Sequence, residues 1–199
     1  MIGEVLPEMV LVPARPPFRM GRTPVTNRQY TPFLEARGMP APPWWSKPDF
    51  DAPDLPVVGV TWDEAMGFCA WLSESGEGRF RLPSEAEWEF AACGGLVAPR
   101  TAWGDRLPAG EVPEGPGQLQ GPWPCGRGTP NGYGLCDMGT IVHEWCLDWQ
   151  DPSKGRRASR GGSWRHEVRW SAPSARSSLP PGYRYSDYGF RVLCEGGLR

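Results

Sequence analysis

Four apolar residues in a row, Met9-Val10-Leu11-Val12, stop at Pro13 and predict a short strand, with Phe18-Arg19-Met20-Gly21 as its partner. Three helix starts follow, each marked by the same polar signal. Thr26 with Gln29, Thr61 with Glu64, and Ser84 with Glu87 each place a hydroxyl three residues before a Gln or Glu, the pattern of a capping box. Behind the caps the apolar residues recur at helical spacing: Tyr30, Phe33 and Leu34 in the first, Ala65, Phe68, Cys69 and Leu72 in the second, Trp88, Ala91 and Ala92 in the third. Pro32 should bend or shorten the first helix, Gly76 marks the end of the second and Gly94 that of the third. Val57-Val58-Gly59-Val60 leads into the second helix. Residues 38–56 and 95–130 are rich in Pro and Gly and read as loops, and beyond them the chain reads as short strands and turns.

Composition sharpens this picture. The 199 residues hold 26 Gly, 24 Pro and 11 Trp, so much of the backbone is irregular and large indoles must anchor it, each needing a partner for its N–H when buried. The length suits one domain over residues 1–199. The net charge of -2 is unevenly spread: 10 of the 21 Lys+Arg, but only 3 of the 23 Asp+Glu, fall in residues 154–199. Such a basic segment either meets an acidic partner or pairs internally with the acidic remainder. No apolar run approaches membrane-spanning length, and the N-terminus lacks the pattern of a signal peptide, so no membrane is expected and a cytoplasmic location is the default. The six cysteines show no CxxC spacing and are expected as free thiols. A zinc site is not expected, since only His143 and His166 could join the cysteines and neither spacing fits.

Longer motifs carry a resemblance. Pro56 to Ala65, Phe80 to Ala92, and Asn131-Gly132-Tyr133-Gly134-Leu135-Cys136-Asp137-Met138 running into His143-Glu144-Trp145 closely resemble the formylglycine-generating-enzyme, or sulfatase-modifying-factor, family. Arg160-Gly161-Gly162-Ser163-Trp164 and Gly189-Phe190-Arg191 resemble that family's last segments, and the likeness runs from about Met9 to Val192. It implies an α+β variant of the C-type lectin fold, loop-rich, with small antiparallel sheets and two to three helices. Taken alone, the local patterns reach only a loop-rich α+β chain.

The resemblance also sets expectations for chemistry. In the family's enzymes the segment after the GGSW-like start carries the catalytic cysteines; here Arg165 to Tyr188 contains none, so no catalysis of that kind is expected. Cys194, beyond the GFR-like end, reads as a small buried hydrophobe. The family's calcium segment implies a structural Ca2+ held by Asp137, Glu144 and the carbonyls of Thr140 and Val142. This chain departs from it in having Thr140-Ile141 for the usual Gly-Asn and His143 for Trp; the alternative is that Asp137 and Glu144 cap turns or pair with arginines. Arg160 and Arg191 are candidates for buried pairing with Glu87, Glu89 or Glu144, and Gly161-Gly162 for close backbone approach.

A second resemblance concerns residues 160–191. The variable proteins of diversity-generating retroelements use this lectin fold and vary between a GGSW-like start and a GFR-like end. Adenine-directed changes of Asn codons reach Arg165, His166, Ser177, Ser178, Leu179, Tyr183, Tyr185, Ser186 and Asp187, but not Trp164, Glu167 or Trp170, which would be frame residues. With Val168 and Arg169 these nine make a candidate binding surface of Tyr and Arg anchors and adaptable Ser, for an acidic protein or other macromolecule on a shallow face. The alternatives are an ordinary solvated loop, or a family member with an oxidoreductase or other cofactor role; a nucleic-acid partner is not expected from a chain of negative net charge without a recognition motif.

Overall fold

The computed structural model describes residues 5–109, 121–151, 153–167 and 171–195. Its architecture is α+β. Strands β1 (Met9–Val12) and β2 (Phe18–Gly21) form the expected hairpin, with Val12 opposite Phe18. Helices α1 (Asn27–Arg37), α2 (Trp62–Ser73) and α3 (Glu85–Cys93) begin at Thr26, Thr61 and Ser84, and all three capping boxes are closed in both directions. Pro32 stays inside α1, and Gly94 ends α3 in the left-handed conformation. The loop at 38–56 contains one 3-10 turn, Pro43–Ser46. Val57–Val60 forms no strand, although Val57 N–H is satisfied by Val25 O and Gly59 N–H by the carbonyls of Tyr185 and Tyr188.

The remaining strands are β3 (Arg79–Arg81), β4 (His143–Trp149), β5 (Arg157–Arg160), β6 (Arg176–Leu179), β7 (Tyr188–Gly189) and β8 (Leu193–Glu195). They make two four-stranded sheets, ordered β1-β2-β8-β3 and β6-β5-β4-β7. The first is antiparallel throughout; the second is mixed, because β7 runs parallel to β4, pairing His143 with Tyr188 and Glu144 with Gly189. That pair departs from the expected all-antiparallel pattern. It is two residues long, and β5 and β6 lie between its two strands along the chain.

Aromatic residues from all parts of the chain build the core. Phe68 of α2 packs on Tyr30 of α1 at 5.4 Å and edge-on against Phe190 at 5.5 Å. The indoles find partners as burial requires: Trp62 Nε1 donates to Cys146 O at 2.8 Å, Trp145 Nε1 to Val60 O at 3.1 Å and Trp88 Nε1 to Glu144 at 2.6 Å. Trp45 Nε1 is the exception, buried with no partner. Arg157 is sandwiched between the rings of Trp62 and Trp149, 3.6 Å from each.

Two buried arginines tie elements together: Arg191 links β4 to the end of β2, and Arg160 links β5 to α3. Arg191 and Glu144 are both wholly buried and joined by two bonds of 2.8 and 2.9 Å, while Arg191 also donates to the carbonyls of Gly21, Arg22 and Cys136. Arg160 pairs with Glu89 and, at 3.4 Å, with Glu85. Glu87 takes neither; it is held by Arg81 at 2.7 Å. Since Arg176 and Arg184 also pair, with Glu85 and Glu64, much of the basic C-terminal charge is answered internally. All six cysteines are free, and Cys194 is buried in the core as expected. No described helix is long and apolar enough to cross a membrane.

Candidate functional site

The second sheet decides what meets what. Because β7 lies beside β4, Asp187 sits next to His143, whose N–H donates to Asp187 O at 2.9 Å. Because β5 lies on the other side of β4, Glu144 opposite Arg160, the turn that follows β5 returns to the same place. Gly161 (φ +76) starts that turn, and its α-carbon is so close to Gly139 that an added Cβ would lie 2.7 Å from it. Ser163 and His166 are thereby brought to the side of His143, with the two imidazole rings 4.9 Å apart.

The result is a cavity of about 650 Å³, within the size range of small-molecule sites. Seven of the eleven candidate binding residues line it. Arg165, His166 and Tyr185 stand on one side, Ser177, Ser178 and Leu179 of β6 on the other, and Asp187 below. Tyr183 and Ser186 lie outside it: Tyr183 is exposed, and the carbonyl of Ser186 accepts from Trp164 Nε1 at 3.2 Å. Val168 and Arg169, with the frame residue Trp170, fall outside the described residues. The expected shallow face is therefore concave where these residues meet. Asp187, taken as a surface residue, is buried (4% exposed).

Six lining residues were not among the candidates: Gly161 and Ala175, and the side chains of His143, Arg156, Arg176 and Tyr188. Tyr188 is held by hydrogen bonding of its hydroxyl to Ser177 Oγ at 2.6 Å and stacks on His143 at 4.7 Å. Arg156 reaches Ser178 Oγ at 2.9 Å. His143 had a signal, its departure from the Trp of related sequences, but that was read only against the calcium segment.

The hydrogen bonds at the cavity floor settle its tautomers. His143 Nδ1 lies 2.7 Å from Gly161 O, which can only accept, so Nδ1 carries the proton. Ser163 Oγ donates to Asp187 Oδ2 at 2.9 Å and therefore accepts from His166 Nδ1 at 3.0 Å. Both rings are left with Nε2 as the free nitrogen. Burial pushes the His143 pKa down to about 4, against the pull of Asp187 and with the help of His166, so that ring is neutral at neutral pH. Spacing along the chain gave no sign that His143 and His166 meet, yet a ligand atom of each, and of Asp187, lies within 4.8 Å of the others.

The segment expected to hold calcium runs directly into β4. Asp137, in the left-handed region at φ +60, is buried; Oδ2 accepts from Gly126 N–H at 2.7 Å, while Oδ1 has no partner. Thr140 Oγ1 is likewise buried and unpartnered. Burial raises the Asp137 pKa to about 6, against the Gly126 hydrogen bond. These open oxygens fit a hard cation. Glu144 fits less well, because Arg191 and Trp88 occupy both its oxygens. Val142 is buried and follows on the same segment.

Comparisons place this geometry among known proteins. A family model described as the sulfatase-modifying factor enzyme 1-like domain matches residues 9–195. The formylglycine-generating enzyme of Thermomonospora curvata is 31% identical over 188 residues, covering 67% of this chain and 60% of that protein. The inactive C-alpha-formylglycine-generating enzyme 2 of Mus musculus is 35% identical over 161 residues, covering 72% of this chain and 50% of that one. The chain thus spans between half and two thirds of these two relatives. Among solved structures, Treponema denticola variable protein 1 superposes with a TM-score of 0.76 at 24% identity, covering 90% of this chain and 85% of that one.

Proposed function

We propose that this chain, which belongs to the sulfatase-modifying factor enzyme 1-like family, is a binding protein without catalysis that presents a diversified C-terminal surface on that family's C-type lectin scaffold. One observation carries the reading: seven of the eleven candidate binding residues line a single cavity, while the frame residue Trp164 and the neighbouring Tyr188 are buried and hydrogen-bonded. Variation at the lining then changes the ligand without disturbing the fold. The likeness to a solved protein titled a variable protein supports the scaffold, and the absence of any cysteine from Arg165 to Tyr188 supports the loss of the enzymes' chemistry. Arg156, Arg165 and Arg176 around the cavity suit an acidic group on a protein or other macromolecular ligand. A structural calcium belongs to the reading with Asp137 as its charged side chain, joined by oxygens of Thr140 and Val142. Glu144 would have to share its charge with Arg191.

The test is genetic. A near-copy of the DNA encoding residues 160–191, differing at adenines and lying beside a reverse-transcriptase gene, is the expected finding. Identical residues at the seven lining positions in independent isolates would overturn the proposal. The second reading, a formylglycine-generating-enzyme-like oxidoreductase or a relative with a cofactor role, draws on the concavity itself and on a buried neutral His143 within it. Turnover by the purified chain would select it.

A further inference from the structure

Three side chains at the bottom of the cavity have the composition of a metal site. We propose that His143, His166 and Asp187 bind a divalent transition-metal ion, with a coordination position left open to the cavity for a carboxylate or similar anionic donor of the ligand. Two imidazoles and one carboxylate suit Zn2+, Fe2+ and their neighbours rather than Ca2+ or Mg2+.

The arrangement goes further than proximity. Each ligand is oriented by an outer partner on its other polar atom, as protein metal ligands usually are. Gly161 O fixes His143 through Nδ1, and Ser163 Oγ fixes both His166, through Nδ1, and Asp187, through Oδ2. What remains free is Nε2 of each ring and Oδ1 of the carboxylate. One serine hydroxyl thus couples two ligands, and a backbone carbonyl serves the third. One ligand atom from each of the three residues lies within 4.8 Å of the others. Metal–ligand bonds of about 2.0–2.2 Å require them to close to roughly 3–3.5 Å. His166 is only partly buried and sits on a turn, so its ring can make that movement, whereas His143 opens β4 and Asp187, buried just before β7, has its carbonyl tied to the His143 backbone N–H. Three protein ligands leave a position unfilled, and the cavity is what it faces. The site rests on the side chains at 143, 166 and 187 and not on the chain being a diversified binder; where residues 165–187 vary, only variants that keep His166 and Asp187 hold the metal.

The experiment uses the full chain, stripped with EDTA and returned to buffer containing Ca2+, so that any calcium site is filled. Zn2+ is titrated by calorimetry and Co2+ by visible absorption. One equivalent of each is expected, with a Co2+ spectrum of nitrogen and oxygen ligation. His166→Ala, whose side chain is partly exposed and whose loss should leave the fold intact by circular dichroism, should weaken Zn2+ binding by about 100-fold or more, and Ser163→Ala by about 10–100-fold. Asp187→Asn preserves shape and should weaken it as His166→Ala does. No stoichiometric binding, affinity unchanged in His166→Ala and Asp187→Asn, or a thiolate charge-transfer band placing the metal on cysteine would each overturn the site.

Discussion

Replacing Glu144 by Gln keeps the shape of the most deeply buried side-chain pair in the second sheet and removes one charge. In the native chain Glu144 Oε1 accepts from Arg191 Nη2 at 2.9 Å, and Oε2 accepts from Arg191 Nε at 2.8 Å and Trp88 Nε1 at 2.6 Å. A glutamine has one acceptor for these three donors. With its oxygen toward Nε and the indole, its amide nitrogen faces Nη2–H, donor against donor; turned over, it faces two donors instead of one. Either way at least one charge-assisted hydrogen bond, worth about 1.5–3 kcal/mol, is lost. The guanidinium, still bonded to the carbonyls of Gly21, Arg22 and Cys136, also stays buried with no anion. Breaking a buried pair in this way costs about 3–5 kcal/mol, a large share of the 5–15 kcal/mol that holds a typical domain. Urea unfolding followed by tryptophan fluorescence reads it directly. With a slope near the upper end for small domains, about 3 kcal/mol per molar, the midpoint should fall by roughly 1–1.7 M. The double variant Glu144→Leu with Arg191→Met removes both charges but leaves Trp88 Nε1 and the carbonyls of Gly21, Arg22 and Cys136 without these partners, so it should recover only part of the loss. A loss below about 1 kcal/mol in Glu144→Gln at unchanged slope would refute the view that this pair carries the sheet.

Gly161→Ala should cost about 2–4 kcal/mol, from its φ of +76 and from a Cβ 2.7 Å from Gly139 and 3.2 Å from Trp88, whereas Gly38→Ala, at φ +61 with nothing near, should cost only about 1–2; thermal melts of the two variants compare them. Burial alone would raise the Glu87 pKa, but hydrogen bonds from Arg81 and Ser84 and the charge of Arg81 outweigh it and hold the group at about 2. Its stabilisation is therefore complete above the unfolded value of 4.5 and lost as pH falls toward 2, by about 1–2 kcal/mol after solvent screening, and a Glu87→Gln chain measured from pH 6 to pH 2 should lack that component of the loss. If Asp137 holds calcium, Ca2+ at about 100 times its Kd should add about 2.7 kcal/mol to the wild type and nothing to Asp137→Asn, by calorimetric melting. Exchanging Ser178 or Tyr185 for Asn should leave stability within about 0.5 kcal/mol, read by the same melts.

The helices were legible because everything that starts them is local. Thr26, Thr61 and Ser84 bond to backbone and side chains three residues on, so the capping pattern in the chain is the structure itself. The first hairpin was legible for the same reason. What could not be read was any pairing that crosses the chain. Leu193–Glu195 inserts between β2 and β3, with Arg81 meeting Glu195 at 2.6 Å, a contact spanning 114 residues that leaves no local trace. Val57–Val60 shows the same limit: Val57 N–H is answered by Val25 O and Gly59 N–H by the carbonyls of Tyr185 and Tyr188, partners that the local sequence does not mark.

The candidate site was legible as a segment and not as a shape. Composition between Trp164 and Gly189 marked out residues of the binding-loop type, and the structure gathers most of them. It could not show that β7 turns parallel to β4, and that one register, His143 against Tyr188, makes the cavity's floor. Ligand-spacing rules describe metal sites whose ligands share a helix or a knuckle. Here the ligand atoms come from the start of one strand, a turn and the residue before another strand, so their separation along the chain carries no information about their separation in space. The backbone ladder holds His143 and Asp187 while Arg165, Ser178 and Tyr185 project from its edges. A surface built this way separates the residues that must stay from those free to change. A metal at its floor would give every variant of the rim that keeps His166 and Asp187 the same fixed point of attachment.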